Sequence, residues 1–213
     1  MLRFLNADNA FIFRITHIRN VPWILANGLH CRTSGRIDPD FVTIGRPDII
    51  AMRDSRDVPI PPHGSLSDYI PFYFTPKSPM MYNIVTGWGG ISRHSSSDIA
   101  IMVSSLRGLA DSGITALYTD RHAYLSMARY FSSLDHLDQI SWGPLQRHDF
   151  SRDVDDPEKK EKYQAEALVH RHLPIEHLSE IACYSDEGRV YLEESRDKLG
   201  LELTITVRRR WYF

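Results

Sequence analysis

One carboxylate, Glu166, opens the apolar stretch Ala165-Glu166-Ala167-Leu168-Val169-His170, which reads as a buried strand. A carboxylate taken out of water needs a partner or a use. Either Glu166 caps or salt-bridges locally, or it sits at the mouth of a cleft that employs its charge. Three further segments place polar groups on or beside strands. Arg14-Ile15-Thr16-His17 would project polar side chains from a sheet edge. The aromatic run through Tyr73-Phe74-Thr75 breaks at Pro76 into a turn carrying Lys77 and Ser78. Thr119-Asp120-Arg121-His122 leaves a strand and opens a helix, a place where anions bind. Taken singly, each has a plain structural explanation: a solvated strand face, a core strand followed by a capped helix, a helix cap.

Other chemistries find little support. There is no glycine-rich phosphate loop, and Gly87-Trp88-Gly89-Gly90 reads as a turn. His63 and His94 lack partners at metal-ligand spacing, and His170 and His172 share one side of a strand alone, so no metal is expected. Neither a nucleophile-elbow serine nor a catalytic-cysteine signature is present.

The elements that must position these residues spell an α+β chain. Phe11 to Thr16 is a strand, and Asn20 caps a helix that runs Val21–Asn27 and stops at Gly28. Residues 33–68 read as an irregular polar connection, long enough to be functional or mobile. Tyr69 to Thr75 is a strand that Pro71 pushes to an edge or bulge. Ile99 to Val103, Ala116 to Thr119, Leu178 to Tyr184 and Leu203 to Val207 read as strands. Helical stretches fall near Ser104–Ala110, across His122 to Leu137, and at the charged run Asp156 to Lys162.

With 213 residues, 42% hydrophobic and 24% charged, the chain suits a single soluble domain spanning 1–213. No apolar run approaches the roughly 20 residues of a membrane span, and the N-terminus lacks a signal-peptide pattern. Cys31 and Cys183 make no disulfide framework, so the cytoplasm is the expected location. A net charge of −2 leaves no global footprint for nucleic acid, so any such partner must be gripped locally.

Four segments together resemble the DarT family of bacterial DNA ADP-ribosyltransferase toxins, which are paired with the antitoxin DarG. They are Ile15-Thr16-His17-Ile18, the block Tyr69-Ile70-Pro71-Phe72-Tyr73-Phe74-Thr75-Pro76-Lys77-Ser78-Pro79-Met80, Thr119-Asp120-Arg121-His122 and Gln164-Ala165-Glu166; the terminal Trp211-Tyr212 also fits. The resemblance implies an ADP-ribosyltransferase fold, a split and curved β-core with peripheral helices that binds NAD as co-substrate without a metal. It implies transfer of ADP-ribose to a base of single-stranded DNA, release of nicotinamide, and the macrodomain antitoxin DarG as partner. Glu166 falls on the family's catalytic glutamate, whose carboxylate would stabilise the oxocarbenium character of the breaking glycosidic bond. Arg53 falls on a catalytic arginine, assigned to the NAD phosphates or to helping the base lose its proton. Arg14, Thr16, His17 and Tyr73 are assigned to NAD, with Tyr73 supporting the nicotinamide. Thr75, Lys77, Arg121 and His122 are assigned to the base or DNA site.

Arg14 stands where many family members carry a histidine, and arginine there resembles a phosphate-holding arrangement in another clade. On that departure the expected base is guanine ahead of thymine. A single strand can be held by a short basic groove and base stacking; Arg53, Arg56, Lys77, Arg93 and Arg121 are candidates for the groove, with Tyr69, Trp88 or Tyr82 for stacking. The alternatives are an RNA- or protein-directed enzyme of the same fold and a catalytically silent nucleic-acid-binding module.

Overall fold

The structure, a computed structural model, describes residues 2–213. In chain order its elements are β1 (Phe11–His17), α1 (Val21–Asn27), β2 (Leu29–His30), α2 (Pro47–Asp54), β3 (Tyr69–Tyr73), α3 (Pro79–Thr86), β4 (Ile99–Ser105), α4 (Leu106–Asp111), β5 (Ala116–Thr119) and β6 (Tyr130–Phe131). There follow α5 (Trp142–Arg147), α6 (Lys159–Lys162), β7 (Glu166–His170), β8 (His172–Leu173), β9 (Glu180–Cys183), α7 (Asp186–Asp197) and β10 (Thr204–Val207). Eight strands form one sheet in the order β10-β9-β4-β1-β3-β7-β5-β6. All of its neighbours are antiparallel except β9 and β10.

The sheet is split in the middle. All seven residues of β1 pair with β4, from Phe11 with Ser105 to His17 with Ile99. All five residues of β3 pair with β7. Between β1 and β3 only Phe13 and Tyr73 are in register, so the two halves splay apart beyond that pair. Pro71 explains why the splay is tolerated. Its carbonyl faces β1 and accepts from Arg14 Nη1 at 2.9 Å, and in a strand the N–H of a residue points the same way as its C=O. The missing donor of Pro71 therefore faces the split and costs no ladder bond to β7. Pro71 was expected at an edge; β3 is internal, but its β1 side is an edge in every physical respect.

The halves are held by a continuous apolar core that includes Phe13, Ile70, Phe72, Ile101, Ala167 and Val169. A smaller cluster of Val58, Leu66, Tyr69, Leu117, Ala123 and Leu168 underpins the second half. Tyr69 is buried there with its hydroxyl on the His63 carbonyl at 2.7 Å, so it is no surface for stacking a base. α1 ends where expected, at Gly28, because φ is +77° and an added Cβ would meet His172 Nε2 at 2.6 Å.

Three local expectations fail. The connection 33–68 is not irregular throughout, since it contains α2, whose Pro47 sits in the first turn. None of the residues of α2 is buried, so no apolar period announces it. The helix expected over His122 to Leu137 is absent: turns lead into β6 and then a 3-10 turn at Leu134–Gln139. Tertiary bonds override helical propensity there, with Asp120 accepting from Arg129 N at 3.0 Å and Tyr130 donating to the Ala123 carbonyl at 2.6 Å. Asn20 makes no side-chain cap bond to α1. Cys31 and Cys183 are free, buried thiols.

Candidate active site

Where the sheet splits, a cleft of about 460 Å³ opens, lined by Arg14 and Thr16 of β1, Pro71 and Tyr73 of β3 and Glu166 of β7. One wall is α2 with Ile49, Ile50 and Arg53; the mouth carries Trp88, Lys160, Glu161 and Gln164. That size lies within the roughly 300–1,000 Å³ usual for small-ligand pockets.

Glu166 is the centre of the arrangement. It is the first residue of β7, its main-chain N–H donating to Thr119 Oγ1 at 3.2 Å while that hydroxyl donates to the Arg121 carbonyl at 2.6 Å. The side chain is 2% exposed and takes three donors: Arg53 Nη1 on Oε2 at 2.8 Å, His122 Nδ1 on Oε1 at 2.9 Å and the Ala123 N–H on Oε1 at 3.0 Å. Burial by itself pushes the carboxyl's pKa up. The charges of Arg53 and His122 and the bonds from His122 and Ala123 overcome it, holding the pKa at about 2 against an ordinary 4.5. Glu166 is thus a buried anion that stays ionised.

The sign of the resulting pH dependence follows from that depression. Stability contributed by Glu166 is complete above pH 4.5 and is lost as pH falls towards about 2. Urea unfolding should therefore show the gap between wild type and Glu166→Gln narrowing as the buffer is taken from about pH 7 to about pH 3.

Arg14 and Arg53 form a second feature. Burial, and after it the nearby Arg53 charge, lowers the Arg14 pKa to about 10. Arg14 Nε and Arg53 Nη2 are buried without hydrogen-bond partners among the described residues. Two neighbouring guanidinium groups with unused N–H donors in one cleft call for an anion. A dinucleotide diphosphate fits that demand, and apolar Ile49, Ile50 and Met80 offer surface for its rings. The Tyr73 hydroxyl donates towards Met80 Sδ at 3.7 Å; burial, then the nearby Glu166 charge, pushes its pKa up, so it remains a neutral donor.

Of the residues singled out from the sequence, Arg14, Thr16, Arg53, Tyr73, His122 and Glu166 converge on this cleft. Four do not. His17 lies beyond the cleft lining, its ring 5.4 Å from that of His94 and its Nδ1 accepting from Arg19 N at 3.2 Å; strand alternation turns it away from Thr16 and Arg14. Thr75 is wholly buried and accepts from Lys77 N at 3.2 Å as part of the turn, out of reach of any strand of DNA. Lys77 places its ammonium over the Phe213 ring at 5.1 Å, outside the cleft lining. Arg121 is spent on Asp120 and Glu158 at 3.4 and 3.2 Å. Of the other groove and stacking candidates, Trp88 lines the mouth and is 57% exposed. Tyr82 instead packs on Phe150 and Phe213, Arg93 donates to the Val85 carbonyl, and Arg56 donates to the Leu125 carbonyl.

Sequence reasoning missed Asn20 as part of the site. Its side chain is fully buried, donates to Thr16 Oγ1 at 3.0 Å and to the Val42 carbonyl at 2.9 Å, and accepts from Val42 N at 2.8 Å. It pins the stretch bearing Phe41, Thr43 and Ile44, which roofs the cleft, to β1. No local pattern announces a contact 22 residues away. Asn20→Ala should cost about 2 kcal/mol, since Val42 is left with unpaired groups. We expect a drop of several degrees in Tm and weakened dinucleotide binding, measured by calorimetry.

Comparison with known proteins places this geometry. Residues 13–213 match the family model described as "ssDNA thymidine ADP-ribosyltransferase, DarT". A DNA ADP-ribosyl transferase of Escherichia coli O127:H6 (strain E2348/69 / EPEC) is 47% identical over 209 residues, covering 98% of this chain and 96% of that protein. Thermus sp. 2.9 DarT in complex with ADP-ribosylated ssDNA superposes with a TM-score of 0.88 at 33% identity, over 97% of both chains. The same Thermus protein in complex with NAD+ gives a TM-score of 0.85 at 32% identity, over 97% of this chain and 98% of that one. With a family model and a relative at 47% identity each spanning nearly its whole length, and an overall fold shared with solved members, the chain belongs to the DarT family of DNA ADP-ribosyltransferases.

Proposed function

We propose that the chain transfers ADP-ribose from NAD to thymine in single-stranded DNA, releasing nicotinamide, with Glu166 as the central catalytic residue. The observation that carries this reading is a carboxylate kept ionised beside two arginines with unused donors. When bound, NAD supplies the ADP-ribosyl group, and Arg14 and Arg53 hold its diphosphate through their free N–H donors. Tyr73, in the cleft lining, would support the nicotinamide end. Glu166 Oε2, which accepts only from Arg53, has a lone pair left for a ribose hydroxyl and faces the positive charge that develops as the glycosidic bond lengthens. His122 and the Ala123 N–H fix the carboxylate so that it need not reorganise. Arg53, bridging carboxylate and cleft, also favours the deprotonated form of an approaching base.

Thymine is the proposed base because the family's description names thymidine. The expectation of guanine rested on Arg14, whose Nη1 is tied to the Pro71 carbonyl on the cleft wall, a position suited to an anion. Support for a single strand comes from the Thermus relative's complex with ADP-ribosylated ssDNA, and from chemistry, since a paired base hides its reactive edge. Family membership also makes the macrodomain antitoxin DarG the proposed protein partner. No helix among the described residues is long and apolar enough to cross a membrane.

Incubation with labelled NAD and single-stranded oligonucleotides of varied base content, beside duplex DNA, RNA and protein, tests the proposal. Label confined to thymine-containing single strands is the expected result. Label on guanine alone would overturn the base, and label only on RNA or protein would overturn the substrate class. No label anywhere would favour a silent binding module.

A further inference from the structure

Glu161 is a cleft residue to which the reaction above gives no task. It belongs to the single helical turn of α6, and its carbonyl accepts from the N–H groups of both His122 and Gln164 at 3.1 Å. Those bonds lock it to the residue that holds Glu166. The residue lines the cleft, and its Oε2 is shielded from solvent with no hydrogen-bond partner among the described residues. The cations around it are engaged elsewhere. Lys160 sets its ammonium 5.6 Å over the Trp88 ring, Lys162 binds Asp156 at 2.7 Å and Arg121 binds Glu158 at 3.2 Å. A shielded carboxylate oxygen is costly unless a donor reaches it, and the residue that carries it is one of those lining the cleft.

The chemistry of the ligands narrows what that donor is. A diphosphate is repelled by a carboxylate and belongs with Arg14 and Arg53. The reacting nitrogen of the target base gives up its proton and is taken up by the ribose, so it cannot remain a donor to Glu161. An exocyclic amino group on an adjacent nucleotide keeps its N–H bonds throughout, and a carboxylate accepting from such a group is an established way to read a base. Trp88, exposed and lining the same cleft, offers a stacking face for a base. Resting on the DNA-directed reading, we propose that Glu161 determines sequence context by accepting a hydrogen bond from the amino group of a base flanking the target. Thymine, which has no amino group, is disfavoured at that flank.

The test uses the full chain and single-stranded oligonucleotides with one thymine, each flank varied among cytosine, adenine, guanine and uracil. Wild type should label amino-bearing flanks about tenfold better than uracil at one side. Glu161→Met, which keeps the bulk and loses the acceptor, should reduce that preference to near unity with NAD affinity unchanged and no loss of Tm. Glu161→Gln, which retains a carbonyl acceptor, should restore part of it. A wild type indifferent to its flanks, a preference that survives Glu161→Met, or weakened NAD binding in that variant would each overturn the assignment. Wild type that labels no single strand at all would instead remove the underlying reading, a failure visible before any variant is compared.

Discussion

Glu166→Gln is expected to abolish ADP-ribose transfer while the chain stays folded. The amide keeps the shape of the carboxylate but loses the charge that meets the developing cation. Loss of one preorganised electrostatic contact of this kind costs on the order of 10²–10³ in kcat, and removal of the buried, ionised Glu166 carboxylate belongs at the upper end. Glu166→Ala separates the roles. It leaves Arg53, His122 and the Ala123 N–H facing one another in a place where Glu166 is 2% exposed. Removing one partner of a buried pair costs about 3–5 kcal/mol, which at this chain length is a fall in Tm of roughly 6–20 °C. Both variants should be inactive. A folded, active Glu166→Gln would show that the carboxylate serves the fold alone, and thermal unfolding alongside the labelling assay distinguishes the cases.

Arg53→Ala should cost activity and loosen a wall of the cleft together. None of the residues of α2 is buried, so little apolar packing holds the helix in place. Its fastenings are polar: Arg53 to Glu166 at 2.8 Å, Asp54 to Arg32 at 3.0 Å, and the Ser67 hydroxyl donating to Asp54. Without Arg53 the buried carboxylate loses its strongest partner, again about 3 kcal/mol, and Arg14 stands alone against the diphosphate. The expected signature is a rise in the KM for NAD together with a fall in kcat, and faster amide exchange across 47–54. Arg53→Lys should not rescue it, because one ammonium cannot hold Glu166 with one nitrogen and offer a second into the cleft. Full activity in Arg53→Lys would show that charge alone suffices there.

Some of this architecture was legible in the residues. The apolar strand through Phe11-Ile12-Phe13, the buried run at Ile99 to Val103, and α1 with Pro22 at its start and Gly28 at its end are local patterns, and the structure honours them. Glu166 stands out in the sequence as an acid opening an apolar strand, while its catalytic role, and Arg53 altogether, come from the resemblance to a family. Residues around them were misread for a common reason. Arg53 lies 113 positions from Glu166, and the helix that carries it has no buried face to leave a period in the sequence. The segment after Asp120 has helical composition but spends its polar groups on Arg129 and Tyr130 contacts instead.

By itself, then, the sequence determined which strands and helices can form, because side-chain period and turn chemistry act over a few residues, and it determined the family, because the motif blocks are specific. Tertiary structure alone decided which polar residues share the cleft. Thr16 and His17 are adjacent in the chain, yet pleating puts one in the site and the other against His94. Pro71 reads as an edge marker, yet only the divergence of β1 from β3 turns the position it marks into a cleft. Asn20 reads as a cap and proves to be the pin for the roof. Glu161 reads as one charge in a charged helical run and proves to hold a shielded oxygen with no partner among the described residues. For Pro71 and Asn20 the deciding contact spans a distance along the chain that local patterns do not encode, and its energy exists only once the fold has brought the two segments together.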